Sequence, residues 1–263
     1  MTTRTWVGGA GNQASDPNDW SQPGLPQPGD SLAMPAGTMN LSGQVLAGDT
    51  LTIGGNGTAD INTTGATTLQ LATARPSAHI NIHVALHSTL TLTANFGSNS
   101  YLNVVGGKLA FIGTSSFGAF STVLSDDITG TGTLDLSGGN ASGETMEING
   151  SVGSGLTFNI FSLGIGDAGL QIDHPSMFHG DINMLQSGWV GFIGIHATSG
   201  DLFNGILDLF DGTKLVDAVR LTNAGGVAPQ LQQNSEGVMF STGLGDYDQP
   251  GGIGTAIPLT VHV

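Results

Sequence analysis

Short strand-like runs rich in threonine and leucine recur through the first two-thirds of the chain, set off by Gly, Asn or Ser. The runs are Thr50-Leu51-Thr52-Ile53, Thr68-Leu69-Gln70-Leu71, Thr89-Leu90-Thr91-Leu92-Thr93, Lys108-Leu109-Ala110-Phe111 and Thr133-Leu134-Asp135-Leu136. A period of two sends successive side chains to opposite faces of a strand, one into a core and the next to solvent. The leucines at 51, 69, 90, 109 and 134 step by 18, 21, 19 and 25 residues, a spacing suited to units that stack one on the next. The pattern predicts an all-β solenoid. Leu, Ile, Val and Phe would fill its interior, with Thr, Asn and Asp outside.

Three regions differ in texture. Residues 1–40 hold Trp6, Trp20 and clustered Gly, Pro and Asp, and are read as an N-terminal cap covering the open apolar end and unpaired strand edges of the first rung. Residues 41–200 carry the rungs, with alternation as clear as His79-Ile80-Asn81-Ile82-His83-Val84 and Leu156-Thr157-Phe158-Asn159-Ile160. From 41 to about 165, about six rungs at about 4.8 Å per strand would stack to about 30 Å. Residues 201–263 are expected to close the same continuous domain as C-terminal rungs or a β cap. Asp211-Gly212 lies there between two strand-like runs and signals a hairpin with a type I′ turn. Leu202 to Phe210 is the one short helix contender, since Gly and Pro interrupt nearly every other window.

Charge narrows the partners. Twenty acidic residues against five basic ones leave a formal charge of −15, which repels a phosphate backbone and an anionic membrane surface. Nucleic acid is therefore an unsuitable partner, while divalent cations suit the balance. No run approaches the roughly 18 apolar residues of a membrane span. The start, Met1 to Trp6, lacks a charged n-region followed by an apolar h-region. With no Cys, disulfides, thiolate metal sites and cysteine nucleophiles are excluded together.

The N-terminal segment carries an ordered set of motifs: Trp-x-Gly-Gly-x-Gly-Asn from Trp6 to Asn12, Asp-Pro-x-x-Trp from Asp16 to Trp20, and Pro-x-Pro-Gly-Asp from Pro26 to Asp30. This order resembles the opening of β-helical passenger regions in bacterial autotransporter-type and related exported adhesins. Motifs cover about 35 residues, and the next 130 or so are similar in repeat texture. The resemblance implies a right-handed parallel β-helix displayed outside the cell, at the cell surface or in a biofilm matrix, with an adhesive or structural role.

Several constellations could carry chemistry. Paired carboxylates on one outer face of consecutive rungs could serve general acid and base in a polysaccharide-active hydrolase or lyase; Asp173, Asp181, Asp201 and Asp208 are the candidates. Asp126 and Asp127 are adjacent, so in a strand they point to opposite faces. His174 and His179 stand with Asp173 and Asp181 in one nine-residue stretch and are candidate metal ligands, although the spacing matches no defined zinc pattern. Ser176 in that stretch lacks a nucleophile elbow. Asp246 and Asp248, in Gly243-Leu244-Gly245-Asp246-Tyr247-Asp248, are candidates for Ca²⁺. Trp6 and Trp20 offer either the cap or a sugar-stacking platform. His79 and His83 share a strand face and would make it pH-sensitive if imidazoles stacked. Thr-x-Thr at 50/52, 89/91/93 and 129/131 would order water if it formed one flat array.

The sequence thus points first to a non-enzymatic, extracellular structural or adhesive β-helix. Its partners would be glycan, a host or matrix surface, or further copies of itself. A polysaccharide-active enzyme is the alternative, and an ice-binding solenoid is third.

Overall fold

The computed structural model is nearly all β and forms a parallel β-solenoid of stacked coils. The structure describes every residue except 1, 10, 23, 44, 45, 47, 55, 56, 74–77, 97–100, 118–120, 126, 139–143, 163–167, 224–228, 244–253 and 263. The chain groups into two compact units, Met1–Thr131 and Gly132–Val263.

In the first unit, β1 (Thr3–Thr5) is followed by β2 (Ser31–Met34), β3 (Gly37–Ser42), β4 (Thr50–Ile53), β5 (Thr58–Thr64), β6 (Ala66–Thr73) and β7 (His79–Val84). Then come β8 (Thr89–Phe96), β9 (Tyr101–Val105), β10 (Lys108–Phe117), β11 (Ser121–Leu124) and the start of β12 (Asp127–Gly138). Strands alternate between two parallel sheets. One runs β1-β2-β4-β6-β8-β10 and the other β3-β5-β7-β9-β11. Each coil contributes one strand to each sheet, which is why the alternation recurs twice per repeat. The inward positions stack as columns: Leu32, Leu51 and Leu71 in one sheet, and Met39, Ile61, Ile82, Val104 and Leu124 in the other. All of these are buried.

The leucine steps need one correction. Leu51 stacks on Leu71 and Leu69 on Leu92, each two residues away from the pairing the spacing suggests, while Leu90 meets Leu109 as expected. A slip of two residues keeps every side chain on its face, so alternation alone cannot fix the register.

The N-terminal cap is built from the motif residues. Trp6 and Trp20 are 3% and 2% exposed, meet edge to face with centroids 5.3 Å apart, and bridge as an antiparallel pair. Their indole N–H groups donate to the Thr38 and Ala14 carbonyls at 3.1 Å. Asp19 is buried and accepts from the Gln13 amide at 2.9 Å. A Cβ on Gly9 would run into its carboxylate and force Asp19 from this position. Arg4 donates to Asp30 at 2.7 Å and to the Gln22 and Gly24 carbonyls. The strand edge beside β1 is taken up by Ser21, which donates to the Thr5 carbonyl. The first coil begins at Ser31, inside the stretch expected to be all cap.

The second unit holds the rest of β12, β13 (Glu144–Ile148), β14 (Leu156–Ser162), β15 (Ala168–Ile172), β16 (Asp181–Met184) and β17 (Gly188–Ile193), all in parallel coils. Antiparallel strands close both sheets, as the expected C-terminal β cap. They are β18 (Ser199–Phe203), β19 (Ile206–Asp211), β20 (Lys214–Thr222), β21 (Gln230–Gln233) and β22 (Gly237–Thr242), with short edge strands β23 (Thr255–Ala256) and β24 (Leu259–Val261). One sheet continues β16-β20-β19-β18-β24 and the other β17-β22-β21-β23.

Two local expectations change here. Leu202 to Phe210 is not helical; it is the β18–β19 hairpin, turned by Asn204 and Gly205 with φ of 51° and 74°. Positive φ at both central residues is the type I′ turn that Asn-Gly favours. The second hairpin pairs Asp211 with Lys214, so Gly212 and Thr213 are central. Only Gly212 has positive φ, which fits a type II′ pattern rather than I′.

Candidate functional site

On the outer side of the second sheet in the first unit, polar residues form columns opposite the buried ones. One column runs Thr38, Asp60, Asn81, Asn103, Val123, and another Asn40, Asn62, His83, Val105. Amides link neighbouring coils: Asn81 donates to Asp60 and Asn62 to Asn40, both at 2.8 Å. A carboxylate only accepts, so Asp60 ends its chain of donors. The third column is Thr58, His79, Tyr101, Ser121. In it the rings of His79 and Tyr101 stack 4.4 Å apart and 6° from parallel. Tyr101 stays 37% exposed.

These columns border an open trough of about 410 Å³ lined by His79, Asn81, Tyr101, Asn103, Ser121 and Val123. Among the described residues, no side-chain hydrogen bond engages the Asn103 amide or the Ser121 hydroxyl. An aromatic surface beside free amide and hydroxyl groups suits a sugar, whose C–H faces pack on rings while its hydroxyls exchange hydrogen bonds.

The second unit has a parallel ladder. Asn159 donates to Asp135 at 2.7 Å and Asn183 to Asn159 at 2.9 Å, and Asn223 donates to Asn183. Beside it lies a smaller depression of about 310 Å³, lined by Ser154, His179, Asp181, Ala218 and Arg220 over Phe178. Arg220 Nε lies 3.3 Å from Asp181 Oδ1.

The nine-residue cluster therefore splits. His179 and Asp181 turn to the depression, whereas Asp173 accepts from Gln171 at 2.8 Å. His174 is exposed at the start of a short 3₁₀ turn that includes Ser176. Asp201 and Asp208 are brought directly opposite one another across β18 and β19, on the outer face. Asp201 Oδ1 also lies 2.9 Å from His262 Nε2, and His262 meets the Phe203 ring edge on. Asp246, Asp248 and Asp126 lie outside the described residues. Among the described residues, no group of three or more His, Asp or Glu side chains is arranged to hold a metal ion.

The remaining candidates are resolved by packing. Trp6 and Trp20 are walled in by the cap and present no open ring face to a sugar, which corrects the platform reading. His79 and His83 share a face but sit four residues apart on one strand, about 13 Å, and their neighbours in adjacent coils are Thr58 and Tyr101 for one, Asn62 and Val105 for the other. The imidazoles do not stack on each other. The threonine columns are interrupted: Thr68 meets Thr91 but then Ala110, Thr89 lies between Ala66 and Lys108, and Gln70 stands between Thr50 and Thr93.

Among the described residues, two carboxyls are shifted. Asp30 is held below the ordinary 3.8, first by the Arg4 hydrogen bond and then by the Gln27 amide. Asp217 is pushed above 3.8 by burial, opposed by its hydrogen bond from the Ala218 amide. It pairs with Leu209, on the side of the sheet that turns inward.

Tyr101, Asn103 and Arg220 were not marked as site residues by sequence. Tyr101 is one of only two tyrosines, which is the single signal that could have drawn attention to it. Among the described residues no helix is long and apolar enough to cross a membrane. The fold defines the class, a parallel β-solenoid. No protein-family model, curated protein or solved structure matches the chain.

Proposed function

We propose that this chain is a non-enzymatic, exported structural or adhesive β-solenoid of a bacterial surface or biofilm matrix, and that it holds glycan in the His79–Tyr101 trough. The observation that carries the reading is the stacked ring pair beside the uncommitted Asn103 amide and Ser121 hydroxyl. The trough is open and shallow, and its polar groups sit on a sheet ordered by backbone ladders and amide cross-links. Such a surface binds at little cost in ordering. Repeated weak contacts along a polymer would add through effective concentration.

Affinity electrophoresis through gels containing neutral polysaccharides tests this reading. The chain is expected to be retarded by at least one, and Tyr101→Ala and Asn103→Ala to migrate faster than the parent there. Unretarded migration in a broad panel would refute it.

A polysaccharide-active enzyme remains the second reading because Asp201 and Asp208 oppose one another. Directly opposed residues have Cβ atoms about 5 Å apart, near the carboxyl separation of a retaining glycosidase. Against it, neither residue lines the trough or the depression, and Asp201 is engaged by His262.

A further inference from the structure

We infer that the depression at Arg220 in the second unit is a carboxylate-binding site for an acidic sugar, separate from the trough of the first unit. Only five residues of the chain are Lys or Arg, and Arg4 is consumed inside the cap. Arg220 is placed differently. Its side chain is 66% exposed, and Asp181 touches it at Nε. Among the described residues Nη1 and Nη2 have no partner. That ion pair at Nε leaves free the paired Nη N–H groups that grip a carboxylate in a bidentate fork.

The surroundings fit a sugar acid better than a bare anion. The Ser154 and His179 side chains are exposed at the depression and make no hydrogen bond among the described residues, so both are available to ring hydroxyls. Phe178 forms an apolar base, packed on Phe158 with centroids 5.3 Å apart. Along the sheet, Arg220 is opposite Ile206, and Ile206 is opposite Phe203; these two are 45% and 55% exposed and continue the surface with apolar contact area. The acidic pair Asp201 and Asp208 lies in the next row and repels a second carboxylate, which favours a single acidic residue over a run of them. Charges farther away are screened beyond about 8 Å at physiological salt.

The test is a titration of the ¹⁵N-labelled chain with galacturonate, its methyl ester and inorganic phosphate, followed by amide shifts. Galacturonate is expected to give saturable shifts at Ser154, His179 to Asp181 and Arg220. Arg220→Gln, with unchanged thermal unfolding, should weaken that affinity roughly tenfold or more, as loss of a charge-assisted fork implies. The ester should weaken similarly. No shift at these amides, equal shifts with the ester, or equal shifts with phosphate would overturn the assignment. Shifts at His79, Tyr101 and Asn103 alone would overturn it while leaving the glycan trough standing.

Discussion

Replacing Trp20 by Ala separates a structural cap from a binding platform. The ring is 2% exposed, and truncating a buried Trp costs about 3–5 kcal/mol. The edge-to-face contact with Trp6 accounts for about 1 kcal/mol of that. The lost indole bond leaves the carbonyl of Ala14, itself wholly buried, without a partner, a penalty of about 1–3 kcal/mol. A net loss near 4 kcal/mol is a large share of the 5–15 kcal/mol typical of a folded domain. With a urea slope of about 2 kcal/mol per molar, the midpoint should fall by about 2 M. Trp20→Phe keeps most of the burial and loses the bond, so it should fall about half as far. Urea unfolding followed by circular dichroism reads both. A Trp20→Ala chain as stable as the parent but defective in polysaccharide binding would refute the cap.

Three further outcomes follow from single side chains. Thr63 is 1% exposed and its hydroxyl is buried without a partner, so the isosteric Thr63→Val should raise stability by about 1 kcal/mol in the same assay. The Asp217 carboxyl has a folded value raised above 3.8, so the folded state holds a proton the unfolded state has released, and stability falls as pH rises through that window. Asp217→Asn should therefore raise the unfolding midpoint at pH 7 and leave it unchanged at pH 3. Asp30 has the opposite sign: its depressed value means stability present above 3.8 and lost as pH falls through the folded value. Acid unfolding monitored by tryptophan fluorescence should begin at higher pH in the parent than in Asp30→Asn, measured relative to each protein's own stability at neutral pH.

How far the sequence discloses the molecule depends on the range of the interaction. Alternation in Thr89 to Thr93 and His79 to Val84 reveals strands and their buried face, because that signal lies within one strand. The Asn204-Gly205 turn was equally local, yet the apolar pairs of Leu202, Phe203, Leu207 and Phe210 also fit a helical face and masked it. Register is set between coils, and Leu51 could face either Leu69 or Leu71 without moving to the other side of the sheet. The stacking of His79 on Tyr101 depends on that register and was hidden with it. The approach of Arg220 to Asp181 requires β20 to return beside β16 after the β18–β19 hairpin, a crossover with no local mark. Asp201 and Asp208 were legible as residue types, while their direct opposition came from the hairpin register.

The measurement that bears most directly on function is a panel of polysaccharides incubated with the chain, scored in parallel for co-sedimentation and for new reducing ends. Binding without new ends is expected, and binding roughly tenfold weaker in Tyr101→Ala, as for a lost aromatic contact. New reducing ends from the parent that disappear in Asp201→Asn or Asp208→Asn would contradict it and make the opposed carboxylates an active site.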